Sequence, residues 1–99
     1  MSVEERSDKI LKLINELKDL PFKNLDKYEV GDFIDEFITY SVVECPVCGN
    51  KTLDSWYVCP HCGWEYDYTS NYDEYSDANG STLREYIEAY DNLVSKGDV

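Results

Sequence analysis

Ninety-nine residues carrying a formal net charge of −12, from 21 acidic and nine basic side chains, suffice for one domain with a modest core. That balance excludes non-specific adhesion to DNA, RNA or an anionic membrane, because phosphate groups are gripped by Lys and Arg. The opening "MSVEERSDKI" is charged from its fourth residue and lacks an apolar export signal, and no stretch approaches the ~18 apolar residues of a membrane span, so a cytoplasmic protein with reduced thiols is expected.

Residues 2–20, "SVEERSDKILKLINELKDL", predict a helix: Ser2 and Glu5 fit a capping box, and Ile10, Leu13, Ile14 and Leu17 recur on one face. Pro21 ends it. In residues 22–44, the spacing of Phe33, Ile34, Phe37 and Ile38 suits a short helix entered through Gly31-Asp32, with Asp32 as its cap, running to about residue 39. The β-branched "ITYSVVE" then suits an extended segment leading into the first cysteines. After the cysteine unit and a polar aromatic loop, Asn79-Gly80 marks a turn. Ser81 or Thr82 can cap the last helix, and Thr82 with Glu85 completes a capping box. Leu83, Tyr86, Ile87, Tyr90 and Val94 line its apolar face.

All four cysteines fall in "ECPVCGNKTLDSWYVCPHCG". Cys45, Cys48, Cys59 and Cys62 give C-x2-C-x10-C-x2-C, with each pair written C-P-x-C-G. Two thiolates reach one ion only where the chain between them curls tightly. The proline presets one bend, and the glycine relieves crowding where the backbone turns back toward the sulfurs. Two such knuckles in series point to a tetrahedral four-sulfur site, with zinc the favoured ion. Rubredoxins place comparable knuckles around iron, but much farther apart in sequence, so a redox carrier is the less favoured alternative. Four thiolates close the coordination shell and leave no position for water or substrate, so one structural zinc and no catalytic residue are expected. Between the pairs, Lys51–Leu53 against Trp56–Val58, turning near Asp54-Ser55, suits a β-hairpin. His61, between two ligands, is expected to point outward with no ligand role.

These motifs resemble the bacterial cysteine-rich CPCC domain family. The residues that carry the resemblance are "CPVCG", "KTLD", "CPHCGWEYD" and "ANGSTLREYIEAY", from residue 45 to about 90. Val47 stands where that family has a third cysteine, and its W-E-D reads Trp64-Glu65-Tyr66-Asp67 here. The resemblance implies metal binding and a zinc-ribbon-like fold; the first 40 residues lie outside it.

Seven of the nine tyrosines fall between Tyr57 and Tyr90. Trp64 and Tyr57 are expected to pack over the metal hairpin, and Tyr86 and Tyr90 to pack the last helix against it. Tyr66, Tyr68, Tyr72 and Tyr75, interleaved with Asp73, Glu74 and Asp77, are too many and too charged for one small core. Tyrosine buries large area at low entropic cost, so these seven residues are assigned to a protein-binding surface for a basic partner. A calcium loop fails because Tyr75 and Tyr86 hold positions that need acids. A stacking platform for single-stranded nucleic acid lacks its basic groove.

The sequence therefore predicts a single α+β domain over 1–99, with a helical region in 1–44 and a zinc-ribbon unit closed by a C-terminal helix in 45–99. The expected function is a non-enzymatic protein-interaction module, most concretely an immunity protein or antitoxin that inhibits a basic nuclease-type toxin. The alternative is a structural zinc-ribbon subunit docking on protein within a nucleic-acid-handling complex. Direct nucleic-acid and membrane contacts are not expected.

Overall fold

The computed structural model describes residues 2–20, 23, 25–27, 32–69 and 71–99. Helix α1 spans Val3–Leu17, and Ser2 caps it by accepting the Glu5 N–H on its Oγ at 3.2 Å. The helix ends at Leu17 with Lys18 as its C-cap, ahead of Pro21, which lies outside the described residues together with Gly31. Helix α2 spans Leu83–Lys96. It forms the complete Thr82–Glu85 capping box and closes on Gly97 in the left-handed conformation. Its buried face is Leu83, Tyr86, Ala89 and Leu93, whereas Val94 is exposed. The apolar stripe is thus turned slightly from the expected one, with Ala89 facing Ser7 of α1.

That approach is fixed by Ser7, which is fully buried between the two helices. Its hydroxyl faces the carbonyls of Val3 and Ala89, each at 2.7 Å, and accepts from Asn92 Nδ2 at 3.1 Å. A small polar side chain there satisfies its own hydroxyl and lets the helix backbones come together.

The predicted helix at 33–39 is not formed. Strand β1 (Asp32–Asp35) pairs antiparallel with β2 (Ile38–Glu44), with Phe33 opposite Tyr40 and Asp35 opposite Ile38. Asp32 is therefore a strand residue and not a cap. Apolar residues at 33, 34, 37 and 38 fit a helical stripe, but two short strands around a two-residue turn produce the same spacing. The backbone decides between them. Strand β3 (Lys51–Leu53) pairs with Val42–Glu44 on one edge of β2, and β1 pairs with Ile38–Ser41 on the other. The extended reading of "ITYSVVE" coincides with β2. The resulting sheet runs β1-β2-β3. A second small sheet joins β4 (Tyr75–Ser76) to β5 (Ser81–Thr82), which leads directly into α2.

The apolar residues form two clusters. The larger joins Ile10 of α1, the cysteines, Trp64, and Leu83, Tyr86, Ala89 and Leu93 of α2. The smaller gathers Leu25, Val42 and Leu53, with Phe33, Tyr40 and Tyr57 against them. Tyr57 therefore packs on Tyr40, their rings 5.7 Å apart, on the β-sheet side and not with Trp64. No helix among the described residues is long and apolar enough to cross a membrane.

Candidate metal centre

Each knuckle sits at the tip of its own hairpin. In the first, Cys45 N–H donates to the Asn50 carbonyl at 2.8 Å and Gly49 N–H to the Cys45 carbonyl at 2.9 Å, between β2 and β3. In the second, Cys59 N–H donates to Trp64 O at 2.9 Å and Gly63 N–H to Cys59 O at 2.8 Å. That turn is closed by a bridge between Val58 and Glu65 and by hydrogen bonds tying Trp56 and Tyr57 to Tyr66. The expected pairing of Lys51–Leu53 with Trp56–Val58 does not occur. Each C-P-x-C-G segment is itself the hairpin turn, so the strands flanking it pair across it, and the ten-residue spacer connects two hairpins.

The four Sγ atoms lie within 4.8 Å of one another. Sulfurs about 2.3 Å from a zinc ion would stand about 3.8 Å apart at the corners of a tetrahedron. The Cys45–Cys62 pair is 3.5 Å apart and the Cys48–Cys59 pair 3.7 Å. Cys45, Cys59 and Cys62 are buried and Cys48 is partly so. The Cys45 contact holds Cys48 and Cys59 below the usual thiol range, while the Cys48 contact raises Cys45 and burial raises Cys62. A divalent cation satisfies all four at once, so the donor set fits a metal.

Trp64, Tyr86 and Tyr90 pack at the centre as expected, whereas Tyr57 does not. Trp64 is buried edge-on to Tyr86 with ring centroids 5.0 Å apart, and the Tyr86 hydroxyl donates to the Cys62 carbonyl at 2.8 Å. Burial, then the charges of the neighbouring cysteines, pushes Tyr90 up to about 12. His61 departs from expectation: it is half-buried, and its Nε2 is buried without a hydrogen-bond partner among the described residues.

The loop after the second knuckle is anchored by Asn79, which in the sequence marks only a turn. Asn79 Oδ1 accepts the Glu65 N–H at 2.8 Å, and its Nδ2 donates to Glu65 O at 3.0 Å and Ser76 Oγ at 2.9 Å. The amide thus acts as one more rung on the knuckle hairpin. Ser76, buried, also donates to Asp67 Oδ2. Burial raises the Asp67 carboxyl, but bonds from Ser76 and Thr69 outweigh it and hold the group below its ordinary value. Arg6 of α1 donates to the carbonyls of Asn79 at 3.1 Å and Gly80 at 2.8 Å, fastening the same turn from outside. Asn79→Ala is expected to lower stability by about 1–2 kcal/mol, because it leaves two partly buried backbone groups of Glu65 unpaired. Urea titration of both proteins with the metal present measures this, and an unchanged midpoint contradicts the anchoring role.

The seven residues assigned to partner binding divide into three groups. Tyr66 and Tyr68 stand edge to face at 5.0 Å, and Tyr68 meets Trp56 at 6.3 Å. Tyr72 and Asp73 face Arg84, which pairs with Asp73 at 2.9 Å and lies over the Tyr72 ring at 5.7 Å. Glu74, Tyr75 and Asp77 are exposed. Trp56, 58% exposed, was not singled out from sequence. Its signal was position: it follows Asp54-Ser55, where the turn presents the next side chain outward.

A family model described as Cysteine-rich CPCC matches residues 43–95, more than half of the chain. It covers both knuckles, the anchored loop and most of α2, and leaves α1 and β1 outside. No curated protein and no solved structure gives a significant match.

Proposed function

This chain belongs to the cysteine-rich CPCC family, and on that premise we propose that it is a zinc-stapled, non-enzymatic module that binds a basic protein. In its most concrete form it is an immunity protein or antitoxin that inhibits a nuclease-type toxin. The observation that carries this reading is the exposed surface of the segment that follows the second knuckle. Tyr68, Tyr72 and Tyr75 are each more than half exposed, and Asp73, Glu74 and Asp77 are exposed among them, on a chain of net charge −12. Exposed tyrosines supply contact area, and the acids steer a basic partner and repel nucleic acid. Zinc bound by Cys45, Cys48, Cys59 and Cys62 supplies cross-linking without redox chemistry. A full set of four sulfurs leaves no coordination position for a substrate, which supports a non-catalytic role.

Neutralising the surface tests the reading. Asp73→Asn, Glu74→Gln and Asp77→Asn together are expected to slow association with a captured basic nuclease about tenfold at low salt, with the difference shrinking as ionic strength rises. The intact chain should also block cleavage by that nuclease. Failure to retain or inhibit any basic nuclease, or equal association rates for the two proteins, contradicts the proposal.

A further inference from the structure

Three residues other than glycine hold left-handed backbone conformations among the described residues, namely Ser55, Trp56 and Tyr68, with φ of 60°, 67° and 64°. Such conformations are unfavourable for residues with a Cβ and persist only where the surroundings hold them. Here all three serve one construction. The Tyr68 hydroxyl accepts the Ser55 N–H at 3.1 Å and lies 3.3 Å from Ser55 Oγ. Ser55 Oγ in turn donates to Asp54 Oδ1 at 3.1 Å, and Asp54 accepts the Ser41 N–H at 2.8 Å. The turn after β3 is thereby tied to the segment after the second knuckle. Its product is a corner of three rings: Trp56 stands at 73° to Tyr68, and Tyr68 at 80° to Tyr66. Trp56 and Tyr68 stay 58% and 55% exposed, so the strained backbone does not serve to bury them.

We infer that the corner formed by Trp56, Tyr66 and Tyr68 is a receptor for a single cationic side chain, arginine or lysine, of a protein partner. Perpendicular aromatic rings offer a cation more than one π-face, and tryptophan is the strongest such partner. The surrounding charge has the matching sign: Asp54 and Asp67 flank the rings in sequence, on a strongly acidic chain. The protein already uses this chemistry internally, where Arg84 lies over Tyr72 beside Asp73. A second copy of this chain is a poor occupant because of its own net charge. The inference rests on the partner-binding reading above and specifies the group that the partner inserts.

The metal-loaded chain, labelled with 15N, is titrated with hexa-arginine, hexa-lysine and the neutral hexa-citrulline, following the two indole N–H signals. The Trp56 signal should move saturably with a cationic peptide, the buried Trp64 signal should stay in place, and citrulline should move neither. Response to arginine alone assigns a guanidinium site, and response to both peptides assigns a general cation site. Trp56→Leu, which keeps apolar bulk without a π-face, should weaken peptide binding about threefold or more. Trp56→Gly should do the same without lowering the melting temperature, since glycine accepts the left-handed backbone. Shifts confined to the amides of 73–77, an equal response to citrulline, or wild-type affinity in Trp56→Leu would overturn the inference. The two proposals can fail separately. A nuclease bound equally by wild type and Trp56→Leu removes the corner and leaves the partner, whereas a responsive Trp56 with no nuclease captured does the reverse.

Discussion

Cys59→Ser is expected to lose the metal and the folded state together. Cys59 is fully buried, its sulfur lies 3.7 Å from that of Cys48, and its backbone closes the second knuckle through Trp64 and Gly63. Cys45, Cys59 and Cys62 are also members of the larger core cluster, in contact with the elements that bring α1 and α2 together. Metal ligation by these sulfurs would therefore be one event with core packing. The apparent binding free energy of structural zinc in small finger peptides is about 10–16 kcal/mol. Domains of this size have a total stability of about 5–15 kcal/mol. Losing one of four thiolates from a site that constitutes the core should thus leave no stable fold. Metal content and amide dispersion in the NMR spectrum check this on one sample. A native spectrum from Cys59→Ser contradicts a structural role for the site.

Gly63→Ala should destabilise the protein by about 2–4 kcal/mol, whereas Gly49→Ala, at the equivalent place in the other knuckle, should cost only about 1 kcal/mol. Both glycines have left-handed backbones, at φ 81° and 74°, so an alanine is strained at either. The surroundings separate them. A Cβ on Gly63 would lie 2.7 Å from Leu13 Cδ2 and 3.0 Å from the Tyr86 hydroxyl, whereas one on Gly49 meets nothing nearer than Glu44 Oε1 at 4.0 Å. Leu13 could swing aside, but the Tyr86 hydroxyl is held by its bond to Cys62 O. Moving it disturbs the contact that joins α2 to the metal centre. Denaturant midpoints of the two variants at saturating metal decide the matter, and equal losses contradict the direct seating of α1 on the second knuckle.

The cysteine quartet was legible because its chemistry is local: each C-P-x-C-G carries its own turn, and the short spacer leaves little freedom in how two such turns meet. Thr82 and Glu85 were legible for the same reason, since a capping box involves residues three apart. The β1–β2 hairpin was misread because apolar spacing at Phe33, Ile34, Phe37 and Ile38 fits two periods. What separates them is the pairing of Asp32–Asp35 with Ile38–Ser41, a contact between strands that side-chain spacing alone does not reveal. Strand partners around the knuckles were misassigned by seeking a hairpin between the cysteine pairs and not across each of them. Asn79 and Trp56 were missed because their roles come from residues distant in sequence. Asn79 completes a ladder at Glu65, and Trp56 finds its neighbours in Tyr66 and Tyr68 only after both hairpins have formed. A turn signal reveals where the chain reverses, not what the turn will touch.

In this proposal, a metal held by Cys45, Cys48, Cys59 and Cys62 builds the platform on which the acidic aromatic surface stands. Native mass spectrometry of the purified chain, before and after acid denaturation, tests it most directly. One zinc ion per folded chain, a colourless solution, and simultaneous loss of ion and compact charge states in acid are expected. A compact chain carrying no metal, or one carrying iron, contradicts it.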